Sequence, residues 1–133
     1  MTMNTSSRKI MTALFCAYIG AIFFLCFMKG DNVPDVQLTL FGIPTDKIVH
    51  FCMFAPYPVL SFLAFCRESI SKRRKIMVLT ISVILGAGLA YGTEQLQGLT
   101  DYRSYDITDF YADLAGICCG TLATLIFILS KRQ

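Results

Sequence analysis

The sequence predicts an all-α, polytopic membrane protein: a single domain over residues 1–133 in which four transmembrane helices form a compact bundle with both termini cytoplasmic. Three observations lead there. Hydrophobic residues make up 55% of the chain and charged residues 16%, whereas a soluble domain carries about a quarter charged residues. The apolar residues gather into four separate runs, each long enough for a hydrocarbon layer of about 30 Å. Lys and Arg collect in the amino-terminal tail, one middle linker and the carboxy-terminal tail, so that alternate loops are basic, as the positive-inside rule requires of four crossings.

The first run, 10–28, follows Arg8 and Lys9 and contains no charged residue before Lys29. At about 1.5 Å per residue its nineteen residues reach across the bilayer. The stretch CFMKGDN offers no small-x-small cleavage pattern, so an uncleaved anchor is expected. A connector rich in turn formers then leads to Pro44, Thr45 and Asp46, which read as a helix start. The second run, 48–66, carries Pro56 and Pro58; prolines are tolerated in membrane helices when neighbours satisfy the freed carbonyls, and a kink is expected. The linker RESISKRRK holds five basic residues against one acid. A third helix is expected at 76–94 and a fourth at 109–129, the latter stopping at SKRQ.

Other classes are poorly supported. A net charge of +3 without basic runs interleaved with aromatics does not describe a nucleic-acid binder. All six cysteines fall in or beside apolar runs, where cysteine behaves as a small hydrophobe. There is no C-x-x-C pair, and one histidine among acids is thin as a metal site. No metal and no cofactor are expected.

The four-crossing topology brings the polar residues of three helices to one membrane face. Asp46, Lys47 and His50 sit at the mouth of the second helix, Glu94 and Gln97 at the end of the third, and Arg103, Asp106, Asp109 and Asp113 at the start of the fourth. At about 100° per residue, Asp106, Asp109, Asp113, Gly116 and Gly120 share an arc of about 80°. Glu94 and Gln97 are placed on one face with Tyr91 and Ala87. Small residues four apart, Gly116 with Gly120 and Gly88 with Gly92, allow close helix approach. Acids above a buried glycine stripe face the bundle instead of lipid, where each charge costs about 2.5–3.5 kcal/mol. Two simpler roles stand beside this one: Asp106 as a helix cap and Asp46 as a first-turn acid. Fully ionised, Asp46, Glu94, Asp106, Asp109 and Asp113 outnumber Lys47, Arg103 and His50. Burial therefore calls for a proton, a cation or a positively charged ligand.

The order D-K-I-V-H-F, then E-x-x-Q, then R-S-Y-D-x-x-D-x-x-A-D-x-x-G-x-x-x-G on successive hydrophobic helices resembles the VanZ-like membrane proteins, over about 46–120. Asp113 stands where that family usually has asparagine, and Phe54 where a hydroxyl-bearing aromatic often follows the histidine. The family's named member is linked to resistance against teicoplanin, a lipid-bearing glycopeptide. The resemblance thus implies a multi-pass protein of the bacterial cytoplasmic membrane with a role in the cell envelope and in glycopeptide resistance.

Two functions compete. In the first, an extracytoplasmic pocket of Asp46, Lys47, His50, Glu94, Gln97, Arg103, Asp106, Asp109 and Asp113 binds a membrane-lipid head group, a lipid-linked cell-wall precursor or a lipoglycopeptide. In the second, a membrane enzyme uses Glu94 or Asp109 as general base, His50 as proton shuttle, and Lys47 with Arg103 as clamps for an anionic substrate. Against catalysis, no nucleophile stands beside an obvious base. A third role is that of an accessory subunit or homo-oligomer joined through the Gly-x-x-x-Gly faces.

Overall fold

A computed structural model describes residues 5–27, 39–40, 42–67, 69–101 and 105–131. Helix α1 is Thr5–Phe27. A short antiparallel hairpin follows, β1 Thr39–Leu40 paired with β2 Ile43–Pro44, turning through Gly42 at φ 80°, a left-handed conformation that glycine adopts without penalty. Helix α2, Thr45–Phe54, begins directly after Pro44, with Asp46 in the first turn, where an acid complements the helix dipole. Helices α3 Tyr57–Phe65, α4 Lys72–Gln97 and α5 Ile107–Ser130 complete the chain.

Four helical stretches are long and apolar enough to cross a membrane: Ser6–Phe27, Thr45–Phe65, Lys72–Gln97 and Ile107–Ser130. The second is divided. Pro56 and Pro58 have no N–H to give to the carbonyls of residues 52 and 54, and the helix pauses at Ala55–Pro56, both still in the right-handed α region. The ladder resumes when Leu60 N–H donates to the Pro56 carbonyl at 2.9 Å. The third span starts earlier than 76, because Lys72 to Lys75 continue the helix.

The surface is inverted relative to a soluble protein. Phe24, Ile84 and Ile126 are each about two-thirds exposed, while His50, Glu94, Asp109 and Asp113 are buried. Such an exterior suits lipid, and such an interior keeps charge away from it. The core at the polar end is formed by Ile22, Cys26, Phe54, Ala90 and Ile117, and the other end by Phe62, Leu79 and Ile128. Hydroxyl contacts cross the bundle as well: Tyr18 donates to the Met53 carbonyl, and the Ser61 and Ser82 hydroxyls bond to each other.

Helix α5 packs most extensively on α2, and its glycines explain the approach. A Cβ on Gly116 would stand 2.5 Å from the Phe51 carbonyl oxygen, and one on Gly120 would meet the Ala55 carbonyl and the Pro58 ring. The glycine stripe of α5 is thus filled inside the chain by the proline-broken segment. On α4 the expected stripe is corrected: Gly88 and Gly92 have open space around them, and the close contact is at Gly86, against the Tyr57 ring. The buried face of α4 runs through Leu79, Ser82, Gly86, Ala90, Thr93 and Gln97. Gly88, two residues from Gly86, therefore points to about the opposite side. Tyr91 likewise faces outward, edge-on to Phe110, and does not share the buried face with Glu94. Gly120→Val is expected to destabilise the protein by about 2 kcal/mol through overpacking. Gly88→Ala should be neutral or stabilising by about 0.5–1 kcal/mol. Thermal unfolding of the two purified variants in detergent checks both.

Candidate functional site

The end of α1, the start of α2, the end of α4 and the start of α5 meet at one end of the bundle. Gln97 Nε2 donates to the Cys26 carbonyl at 2.9 Å, which ties α4 to α1 there. Its amide donor is thus committed to holding helices together. The charged residues lie beside this tie.

At the rim, the Lys47 ammonium reaches Asp109 Oδ1 at 2.6 Å and Asp106 Oδ2 at 3.0 Å, with Asp46 Oδ2 at 3.6 Å. Lys47 sits three residues into α2, so its long stem carries the ammonium across to the amino terminus of α5. Asp106 does two things. It caps α5, accepting from the Thr108 amide at 2.8 Å and from the Thr108 hydroxyl at 2.7 Å, and its other oxygen faces Lys47. The capping and pocket roles are therefore combined in one carboxylate. Asp46 is exposed and contributes a first-turn charge and an accepted bond from the Lys47 amide.

Deeper in, His50 on α2 is nearly sealed from solvent, and three acids surround its ring. Nδ1 is 3.0 Å from Asp113 Oδ1 and 3.8 Å from Glu94 Oε1, while Nε2 is 3.6 Å from Asp109 Oδ2. Only the first distance is a hydrogen bond. Nδ1 is the hydrogen-bond partner of the Asp113 carboxyl, and Nε2 is turned towards Asp109. Glu94 and Asp113 are both completely buried. Neither oxygen of Glu94 has a hydrogen-bond partner among the described residues, nor has Asp113 Oδ2. Buried polar atoms are almost always bonded, so these three mark an arrangement that the described residues do not complete by themselves.

Of the residues read from the sequence, the structure brings together Lys47, His50, Glu94, Asp106, Asp109 and Asp113. Gln97 lies at the same end but engages the backbone of α1. Arg103 lies outside the described residues. Two contributions escaped sequence reading. Tyr18 binds the α2 backbone through its hydroxyl, and Thr93, buried next to Glu94, returns its hydroxyl to the Ala90 carbonyl at 2.9 Å. A lone hydroxylated aromatic in the fatty first run was the one available signal for Tyr18. Thr93 gave none.

Beside the cluster, an apolar groove of about 370 Å³ runs between α1 and α2, lined by Tyr18, Ile22, Leu25, Val49, Cys52 and Met53. At the opposite end of the bundle Arg67, Lys75 and Lys131 come together around Phe62, Phe127 and Ile128.

Comparison with known proteins gives a consistent result. The VanZ/LLP1 family matches residues 15–129. An uncharacterized protein of the fission yeast Schizosaccharomyces pombe is 29% identical over 126 residues, which is 95% of this chain and 67% of the yeast protein. No solved structure matches the chain.

The rim carries a pH signature. The Thr108 hydroxyl and amide, followed by the Lys47 ammonium, hold the Asp106 carboxyl at about 2, below its ordinary 3.8. A carboxyl lowered on folding stabilises fully above its ordinary value, and the contribution fades as pH falls from about 4 to about 2. Asparagine caps a helix as well as aspartate does. Asp106→Asn should therefore unfold at lower temperature than the wild type at pH 6, and the difference should shrink to a small fraction by about pH 2; melting curves in detergent across that range check it.

Proposed function

The chain belongs to the VanZ/LLP1 family, and we propose that this multi-pass membrane protein binds the polar head group of a lipid-linked molecule at the charged end of its bundle. One observation carries the reading: a cluster of acids, buried at its base and open at the rim where Lys47 and Asp106 lie, stands beside an open apolar groove. Lys47 and His50 flank Ile48 and Val49, which line that groove, so a head group among the charges and a hydrocarbon tail along α1 and α2 fit together. Ligand sites of this kind combine mostly apolar walls with a few fixed polar groups.

The basic end of the bundle, with Arg67, Lys75 and Lys131, supports a cytoplasmic placement of that end and of both termini, and an extracytoplasmic placement of the acidic end. In the bacterial cytoplasmic membrane, that face meets lipid-linked wall precursors and lipid-bearing glycopeptides such as teicoplanin. Lipids of the surrounding leaflet supply the same chemistry in other membranes, as a fission-yeast relative would require. Arg103 belongs to this proposal as a second clamp for an anionic head group. In a susceptible bacterium protected by this protein, Glu94→Gln, Asp109→Asn and Arg103→Ala should each abolish teicoplanin protection at unchanged membrane levels. Full protection by all three variants would overturn the reading.

A specific contact favours a second function. The His50–Asp113 hydrogen bond, with Glu94 beside it, is a pairing that orients an imidazole for proton transfer. An acid/base enzyme acting on lipid-linked envelope substrates would use it. Purified protein incubated with polyprenyl phosphates and glycerophospholipids should then give turnover that Asp113→Asn slows by about 100-fold or more; absence of any product excludes this second function. An accessory or homo-oligomeric role would use the exposed Gly88 and Gly92 face of α4, since Gly116 and Gly120 are filled within the chain.

A further inference from the structure

In sequence, His50, Glu94 and Asp109 lie on three different helices, and none of them is part of a metal-binding spacing. The fold changes that. One donor atom from each lies within 4.8 Å of the donor atoms of the other two. We infer that His50, Glu94 and Asp109 bind a divalent first-row metal ion, with Asp113 orienting the imidazole.

The distances suit such an ion. Metal bonds of about 2.0–2.2 Å in tetrahedral geometry separate neighbouring ligand atoms by about 3.4 Å. His50 Nε2 and Asp109 Oδ2 are 3.6 Å apart. Asp109 divides its work, since Oδ1 receives the Lys47 ammonium and Oδ2 is left for the ion. Asp113 occupies the position that a carboxylate commonly takes behind a metal-binding histidine. It accepts from Nδ1 at 3.0 Å, which fixes the tautomer with the Nε2 lone pair free and raises its basicity.

Glu94 supplies the independent observation. It is completely buried, its Oε1 lies 3.8 Å from the ring nitrogen Nδ1 that Asp113 also engages, and neither oxygen has a hydrogen-bond partner among the described residues. A buried anion without a partner is strongly destabilising. Among the described residues, Asp46, Glu94, Asp106, Asp109 and Asp113 confront one ammonium, that of Lys47, and one imidazole. A doubly charged cation offsets part of this negative charge and gives Glu94 a partner. One imidazole nitrogen with carboxylate oxygens suits Zn²⁺ or Mn²⁺, while the absence of thiolate from the set disfavours soft ions such as Cu⁺. The inference concerns ion binding alone and does not depend on which lipid-linked ligand the protein takes.

The test uses the full chain, purified in detergent, stripped with chelator and titrated calorimetrically with Zn²⁺ and with Mn²⁺. One of the two ions should bind at one per chain with micromolar or tighter affinity. Glu94→Gln, close in shape to the native side chain, and His50→Ala should each weaken binding by about 100-fold or more, and Asp113→Asn by about 10–100-fold. Arg67→Ala, at the opposite end of the bundle, should leave it unchanged. Visible absorption of the wild-type protein loaded with Co²⁺ reads the ligands directly, so the inference does not depend on the folding of any variant. A spectrum of four- or five-coordinate Co²⁺ is expected. The spectrum of the fully hydrated ion, lack of saturable binding by the wild type, or equal affinity in Glu94→Gln would overturn the assignment.

Discussion

Charge inside a bundle surrounded by hydrocarbon has to be neutralised by the bundle itself, and that constraint orders the whole polar end of this protein. Lys47 gathers Asp106 and Asp109 at the rim, and His50 gathers Asp113 below them. Both basic groups come from α2 and all three of these acids from the amino-terminal part of α5. The most extensive helix contact in the molecule is therefore also the contact across which charge is balanced. Glu94 enters from α4 with no hydrogen-bond partner among the described residues, so among them the balance is incomplete at one definite place.

The backbone makes this meeting geometrically available. For His50 to reach Asp113, α2 and α5 must lie nearly in van der Waals contact one or two turns further along. Gly116 and Gly120 provide that approach, with Phe51, Ala55 and Pro58 occupying the space a side chain would need. The break at Ala55–Pro56 lies at the same level, where α5 covers the interrupted part of the second span. Carbonyls released by proline are tolerated in a membrane only when buried in protein. Glycines, prolines and charges are thus parts of one arrangement, because each would be costly without the others.

Helix α1 has a different standing. It is the most uniformly apolar of the spans, with little of it buried in the bundle, yet it bounds the groove beside the charges and is fastened to α2 and α4 through Tyr18 and the Cys26 carbonyl. Further along, Phe15 of α1 packs on Tyr57 and Phe65 of α3, so the groove between α1 and α2 is bounded by helices fastened on either side of it. Polar seat and apolar channel then share a wall, Ile48 and Val49, in the segment that also carries Lys47 and His50.

The sequence by itself determined the four spans, the proline interruption and the sharing of one membrane end by the polar residues, because hydropathy, helical rise and the parity of crossings are one-dimensional quantities. Helical period placed Gly116 and Gly120 below the acids of α5. Tertiary structure alone decided which atoms meet. Gly86 and not Gly88 touches α3, since helical period fixes relative angle along α4 but says nothing about which side a neighbour occupies. Gln97 bonds to the α1 backbone instead of joining the carboxylates, and Tyr91 looks outward, for the same reason. The grouping of one nitrogen and two carboxylate oxygens around His50 depends on the rotation of three helices about their own axes, and that rotation is set by glycine contacts between residues far apart in the chain.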